Sequence, residues 1–214
     1  GQGQVVGARA LELAMAKARS NGISYVAVRN SSHFGATAPY GFAASLAAMA
    51  LLCGTSASPA MAPYLGRDLK IGNNPIGFAA PRRAEAPFML DIAMSIAARG
   101  KMRKLRDTGA KIPLGWALDA HGNPTTDPSA GLSGFIQFVG GHKGYGLSLM
   151  VDILAGLMSG GQFLDEVNDM WSEKSPQGIS HFFIVIDPIR LLGAGDYYDR
   201  VDRFIAKIKS TAPF

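Results

Sequence analysis

Short apolar runs alternate with helix-forming segments along this chain, and the alternation limits its possible folds more than any other feature. The clearest run covers residues 182–186, is rich in aromatic and β-branched side chains, and stops at Asp187 and Pro188. Such a run is typical of a strand that is buried on both faces. Weaker strand candidates cover residues 23–28, 50–54, 76–80 and 88–90.

The segments between these runs carry apolar residues at helical spacing. They cover residues 5–19, 39–50, 145–158 and 199–209. A further helix is expected from Asp91, whose carboxylate suits a helix N-cap, to about residue 105. The alternation predicts an α/β fold, a three-layer sandwich around a mainly buried, mixed sheet.

The length of 214 residues suits one sizeable α/β domain, or one domain with a small lobe. The sequence contains no internal repeat and no low-complexity segment. We therefore expect residues 1–214 to form one α/β domain.

The formal net charge is +5 and the isoelectric point is about 9.4. Basic residues are densest in one stretch, which holds Arg99, Lys101, Arg103, Lys104 and Arg106. A nucleic-acid-binding protein would interleave such cations with aromatic residues, so no nucleic-acid partner is expected. The stretch is interpreted either as the solvated face of a helix or as an attraction for anionic substrates.

The single cysteine, Cys53, lies inside an apolar run, which predicts a buried thiol and excludes a disulfide framework. This fits a reducing compartment. The most apolar helical stretch, residues 146–158, contains Asp152 and is too short to span a bilayer. Because no signal peptide is visible either, we expect a cytoplasmic protein without a membrane partner.

Several common motifs are missing from the sequence. No G-x-G-x-x-G follows a strand candidate, so the α/β fold is not expected to be a Rossmann fold. Residues 140–144 are glycine-rich but lack the first glycine and the hydroxyl residue of a P-loop. No two histidines have metal-ligand spacing, so no metal is expected.

Residues 30–35 directly follow a predicted buried strand, which is where α/β folds hold their ligands. His33 in this loop is suited to exchanging a proton with a carbonyl or alcohol oxygen. The alternative is a histidine with a structural role only.

Two further stretches contain residues with both a functional and a structural interpretation. Asp91 suits hydrogen bonding to a ribose or an amide, and Lys101 suits a carboxylate or an alkoxide. The alternatives are a helix cap and a solvated lysine. Residues 140–146 place glycine amides and Lys143 before a helix, which suits a pyrophosphate, or form a simple glycine turn.

Together and in this order, these stretches resemble the malate/L-lactate dehydrogenase family, which also contains sulfolactate, ureidoglycolate and diketogulonate dehydrogenases. The similar segments cover residues 30–35, 72–75, 90–93, 100–101, 116–119, 122–128 and 141–146. The resemblance implies a sulfolactate-dehydrogenase-like α/β fold, a homodimer, and NAD or NADP as cofactor. It also implies hydride transfer between the cofactor and carbon 2 of a small 2-keto or 2-hydroxy acid.

The resemblance also assigns roles to residues. His33 matches the catalytic histidine of the family, and Lys101 matches a position next to the active site. The segments that match cofactor contacts contain Asp91, Ile92, Ala93, His142, Lys143 and Gly144. Family members are longer and carry a further active-site motif before this region, so we expect the chain to be part of a longer polypeptide.

Two other functions stay open. Cyclic ketimine reductases, which act on piperideine or pyrroline carboxylates, look similar but tend to carry an acid at the position of Lys101, so the lysine favours keto acids. A catalytically inactive nucleotide-binding or scaffold relative is the third possibility, and the presence of both His33 and Lys101 argues against it.

Overall fold

The computed structural model describes residues 2–169 and 175–212. In chain order its helices and strands are α1 (Gly3–Asn21), β1 (Ile23–Ser31), α2 (Ala38–Leu46), β2 (Ala50–Thr55), β3 (Ile76–Ala80), β4 (Phe88–Ile92), α3 (Arg99–Asp107), β5 (Ala117–Leu118), β6 (Pro124–Thr125), α4 (Pro128–Ser133), β7 (Phe135–Ile136), α5 (His142–Asp152), β8 (Ile179–Ile186), α6 (Pro188–Leu192) and α7 (Ala194–Lys209). These bounds confirm most of the predicted helices and strands to within a few residues.

The main sheet has the strand order β1-β8-β2-β3-β4, and each neighbouring pair is antiparallel. β1 and β2 therefore run in the same direction and are joined through α2, but β8 is inserted between them. A helix between two strands usually indicates parallel neighbours, but here both strands pair with β8 instead. The strand that separates them comes from far along the chain.

Helices cover both faces of the main sheet, which gives the three predicted layers. α1 and α2 pack on one face, where Phe183 and Val185 of β8 join the apolar cluster. α5 and a π-helical turn, Ile153–Leu157, pack on the other face, where Phe182 of β8 is buried. β8 supplies both layers because successive strand side chains point to opposite faces, and each buried aromatic contributes roughly 1.5–3 kcal/mol.

A smaller sheet with the order β6-β5-β7 lies beside α3 and α4. Its apolar cluster includes Ala117 and Ile136 from the sheet, and Met102 of α3, which is fully buried. Met102 therefore fixes which side of α3 faces the rest of the molecule. That residues 1–214 form one domain stays a prediction.

Asp91 does not begin a helix, so the predicted helix from Asp91 to about residue 105 is wrong over its first eight residues. Asp91 pairs with Gly77 inside the sheet, as part of β4, and the helix begins at Arg99. The Asp91 carboxylate instead accepts hydrogen bonds from the backbone N–H groups of Thr37 and Ala38, at 3.1 and 3.0 Å. It caps α2, a helix from an earlier part of the chain.

α5 and its π-helical turn end at Leu157, close to the predicted end of this apolar helix. Asp152 is buried at the point where the geometry changes, and its carboxylate accepts a hydrogen bond from the N–H of Leu164 at 3.3 Å. Burial raises the pKa of Asp152 to about 6. Across the part of the chain that the structure describes, every helix is too short or too polar to cross a membrane.

Candidate active site

A cavity of about 280 Å³ lies where β1 and β2 end, and where α3 begins. His33, in the loop after β1, forms part of one wall, and residues 55–58 follow β2 into the cavity. Ser95, Arg99 and Arg103 line it from the segment before α3 and from α3 itself. Because β1 and β2 run in the same direction, both end at the same edge of the sheet and bring their loops together.

Two hydrogen bonds hold the exposed His33. Its backbone N–H donates to Oε1 of Gln177 at 2.9 Å, and the N–H of Gly35 donates to its Nδ1 at 3.0 Å. A nitrogen that accepts a hydrogen bond carries no proton, so the neutral ring carries its proton on Nε2. Nε2 is therefore the nitrogen available to a ligand, which suits the predicted proton exchange.

A second histidine, His181 on β8, lies fully buried behind this loop. Its Nδ1 lies 2.7 Å from Oγ1 of Thr55, its Nε2 lies 2.9 Å from Oγ of Ser31, and its ring stacks on Phe34 with centroids 4.5 Å apart. Burial, with the charge of the nearby His33, lowers the pKa of His181 to about 4. His181 is therefore neutral at pH 7 and holds the residue that follows His33. Sequence analysis missed it, although a histidine inside a buried apolar run is a signal.

Arg99 and Arg103 lie one helical turn apart on α3, and both line the cavity, as does Asp169. The basic stretch had two interpretations, a solvated face and an attraction for anions. For these two arginines the position in the cavity favours the second. Their spacing of four residues was the signal in the sequence, because such residues share one helix face.

Lys101 lies on a different face of α3 from Arg99 and is exposed. Its Nζ lies 4.9 Å from the ring centroid of Trp116, which is a cation–π contact, and it is not among the residues that line the cavity. The catalytic role of Lys101 stays a prediction, and it requires the ammonium group to leave Trp116.

The six predicted cofactor residues lie in two stretches that the structure places side by side, and all but Gly144 are at least partly exposed. Asp91 and Ile92 end β4, Ala93 follows it, and residues 142–144 begin α5. The N–H of Val139 donates to the carbonyl of Met94 at 2.9 Å, and Ser95 pairs with Phe138, which joins the two stretches. Ser95, which directly follows Met94, also lines the cavity.

The start of α5 has a donor set that fits a phosphate group. Its N-cap, Gly141, offers no capping side chain, and the first turn contains no acidic residue. Gly140 and Gly141 have φ angles of 64° and 61°, which favour glycine and turn the backbone into the helix. The N–H of Lys143 bonds to the carbonyl of Gly140 at 3.4 Å, while those of His142 and Gly144 have no partner among residues 2–169 and 175–212. These N–H groups and the exposed ammonium of Lys143 together suit an anion.

Two of the predicted cofactor residues also have structural roles. One carboxylate oxygen of Asp91 is occupied by the N-terminus of α2, and the other has no hydrogen-bond partner in the described part of the chain. Gly144 is buried, and a Cβ atom there would lie 2.1 Å from the carbonyl oxygen of Val139. Gly144 therefore allows α5 to pack closely against the preceding loop.

A sequence model of the family described as malate/L-lactate dehydrogenase matches residues 1–214. The malate dehydrogenase of Pyrococcus horikoshii is 41% identical over 219 residues, covering 99% of this chain and 60% of that protein. The Delta(1)-pyrroline-2-carboxylate/Delta(1)-piperideine-2-carboxylate reductase of Pseudomonas aeruginosa is 42% identical over 180 residues, covering 83% and 54%. The solved sulfolactate dehydrogenase of Methanocaldococcus jannaschii matches with a TM-score of 0.92 at 37% identity, covering 100% and 62%.

The likeness to a solved sulfolactate dehydrogenase confirms the predicted α/β fold class. The chain spans about 60% of the length of the malate dehydrogenase that it matches. The roles of His33, Lys101 and the six cofactor residues stay predictions.

Proposed function

Because the chain belongs to the malate/L-lactate dehydrogenase family, we propose that it carries the working site of an oxidoreductase that transfers a hydride between NAD(P)H and a small 2-keto or 2-hydroxy acid. The cavity in which His33 shares space with Arg99 and Arg103 carries this proposal. A 2-keto acid needs a proton at its oxygen and a cation near its carboxylate, and these residues supply both.

His33 handles the proton at the substrate oxygen. A nicotinamide bound beside the cavity would supply the hydride to carbon 2 in one direction and accept it in the other. The Nε2–H of His33 donates to the ketone oxygen and stabilises the negative charge that develops there. Complete transfer of this proton leaves a neutral ring only if Nδ1 has first taken up a proton. Nδ1 then gives up the hydrogen bond from Gly35, and the exposed ring can take this proton from water.

The start of α5 would hold the pyrophosphate of the cofactor through its free N–H groups and Lys143. The unoccupied carboxylate oxygen of Asp91 would accept a hydrogen bond from a ribose or an amide. Ile92 is partly exposed on the edge strand and would contact the cofactor with its apolar surface. The choice between NAD and NADP stays open.

Replacement of Lys143 by alanine is expected to weaken NAD(P)H binding by about 1.5–3 kcal/mol, the range for hydrogen bonds to charged groups. Titration of the cofactor against parent and variant measures this loss. Lys17→Ala, which removes an exposed lysine from α1, is the matched control and should leave the affinity unchanged. If Lys143→Ala and the parent bind NAD(P)H with equal affinity, residues 140–144 form a purely structural turn.

A cyclic ketimine reductase is the second candidate, favoured by the 42% identity to the pyrroline-carboxylate reductase. A cyclic imine is protonated when it accepts a hydride, so a nearby ammonium repels it and a carboxylate attracts it. The exposed ammonium of Lys101 near the start of α3 therefore favours a keto acid over an imine.

Lys101→Asp is expected to depress keto-acid reduction far more than cofactor affinity, because the cation near the developing charge is lost. Steady-state rates with a keto acid and with piperideine-2-carboxylate, together with a cofactor titration, measure this difference. Unchanged keto-acid turnover would mean that Lys101 lies away from the reacting centre and only contacts Trp116. A parent protein that prefers the cyclic imine would make the proposed substrate class wrong.

One screen tests the proposed activity directly. The protein is mixed with NADH or NADPH and with pyruvate, oxaloacetate, sulfopyruvate, sugar keto acids or cyclic imines, and cofactor oxidation is followed. We expect turnover with at least one keto acid. Turnover with none of these compounds would favour an inactive nucleotide-binding or scaffold relative.

The homodimer and the cytoplasmic location implied by the resemblance are part of the proposal. Exposed apolar side chains on α5 and its π-helical turn, Leu147, Ile153 and Leu157, support a contact between two copies. The buried thiol of Cys53 fits a reducing compartment. Sedimentation velocity measures the assembly.

A further inference from the structure

We propose that Ser95, Arg99 and the first turn of α3 form the seat for the carboxylate of the 2-keto or 2-hydroxy acid. This inference rests on the proposed function and names the residues that recognise the acid group. Three hydrogen-bond donors within residues 95–100 line the cavity, and each has at least one N–H or O–H group without a partner among the residues that the structure describes.

The first donor is the hydroxyl of Ser95. The residue is 7% exposed and lines the cavity, and its Oγ has no hydrogen-bond partner among residues 2–169 and 175–212. Pairing with Phe138 and the bond from the N–H of Ile96 to Gln137 fix the backbone on either side. A buried hydroxyl without a partner costs free energy, so an acceptor oxygen placed in the cavity would recover it.

The second donor is the guanidinium group of Arg99. Its Nε is buried and has no partner in the described part of the chain, while one terminal nitrogen donates weakly to the carbonyl of Leu132 at 3.5 Å. Across the same described residues, no ion pair joins Arg99 to a carboxylate. A guanidinium fork matches the two oxygens of a carboxylate, and this one is left for a ligand.

The third donor is the backbone at the start of α3. The N-cap residue, Ala98, has no side chain that can cap the helix, and the first turn contains no acidic residue. The N–H groups of Lys101 and Met102 already bond to the carbonyl of Ala98. Those of Arg99 and Gly100, which both line the cavity, have no partner across the described ranges, so they can bind an anion, which the helix dipole favours.

The position of these donors selects the substrate carboxylate. His33 lines the same cavity, and in a 2-keto acid the oxygen that His33 would contact is one carbon away from the carboxylate. A small acid held by Ser95 and Arg99 therefore presents its reacting carbon within the cavity.

The experiment measures acid binding without turnover. L-malate and L-lactate are titrated calorimetrically into the protein in the presence of NADH or NADPH, so that neither acid can be oxidised. Ser95→Ala and Arg99→Gln are each expected to weaken binding of the acid by about 10- to 100-fold, and to raise the KM for the keto acid similarly. NAD(P)H affinity should not change. Lys104→Gln, on an exposed position of the same helix, is the control and should bind like the parent.

Ser95→Ala also separates a ligand-binding role from a structural one. Because the hydroxyl has no partner in the residues that the structure describes, its removal should leave the melting temperature unchanged or raise it. A serine needed for packing would instead lower it.

Each other outcome decides a different part of the proposal. Acid affinity unchanged in both variants, or no acid binding by the parent, overturns the carboxylate seat. Loss of NADPH affinity with unchanged acid affinity overturns it too and assigns the donors to a cofactor phosphate. If the parent binds malate in a Ser95-dependent way but reduces no keto acid, the seat stands and the proposed oxidoreductase activity falls.

Discussion

Replacement of His33 by alanine is expected to lower the turnover of the keto acid by about 10²–10⁴-fold, the usual cost of removing a general acid or base. The cofactor affinity should be nearly unchanged, because the proposed cofactor residues lie beyond Ser95, on β4 and α5. Steady-state rates and a cofactor titration on the same preparation measure the two effects.

The geometry gives His33 this role for two reasons. It lines the cavity with Arg99 and Arg103, and the N–H of Gly35 leaves Nε2 as the nitrogen free to act. The matched control is His121→Ala, which removes another exposed histidine from the turn between β5 and β6. If His33→Ala retains activity within a few-fold of the parent, His33 is a surface histidine and the assignment fails.

Replacement of Gly144 by alanine is expected to destabilise the fold by about 3 kcal/mol or more, at the upper end of the costs of overpacking. The new Cβ would meet the carbonyl oxygen of Val139 at 2.1 Å, and a backbone atom cannot move aside as a side chain can. For a chain of this size, we expect the melting temperature to fall by about 6–12 °C. Thermal and denaturant unfolding measure the change.

Gly146 provides the matched control, because it lies two residues further along α5 with open space around its missing Cβ. Gly146→Ala should raise stability by about 0.5–1 kcal/mol through its better helix propensity. If Gly144→Ala loses cofactor affinity but keeps the parent's stability, the glycine serves the cofactor alone, and close packing of α5 is not its function.

The sequence was sufficient for features that depend on neighbours along the chain. The apolar run of β8 and the loop that carries His33 are local patterns, so the strand and the exposed histidine after β1 could be predicted. The glycine pair before α5 is likewise a local pattern, and it predicts the turn that these two residues form. These features give the fold class and one wall of the cavity.

Features that depend on distant partners were not predictable from periodicity. The insertion of β8 between β1 and β2 needs a pairing across more than a hundred residues. Asp91 caps α2, which precedes it by about fifty residues, and not the helix that follows it. In α3, the cavity-facing side is set by burial of Met102 in a separate cluster. From the basic stretch alone, Arg99 and Lys101 are therefore equally good candidates for lining the cavity.

Two buried ionisable groups, His181 and Asp152, exchange protons with solvent in opposite directions when the chain folds. The pKa of His181 falls from 6.5 to about 4, so its contribution to stability is present above pH 6.5 and is lost as the pH falls towards 4. The pKa of Asp152 rises from 3.8 to about 6, so its contribution is present below pH 3.8 and is lost as the pH rises through 6.

Alone, each group would change the free energy of unfolding by about 3 kcal/mol between its unfolded and folded pKa values, since one pKa unit corresponds to about 1.4 kcal/mol. Between about pH 4 and 6, the two groups change the free energy of unfolding with pH in opposite directions, so their effects largely cancel. One proton leaves the imidazole as the main sheet closes over it, and one joins the carboxyl group beneath the π-helical turn. At these two sites, folding in mildly acidic solution is therefore nearly neutral in protons, and their burial adds little acid sensitivity to the folded state.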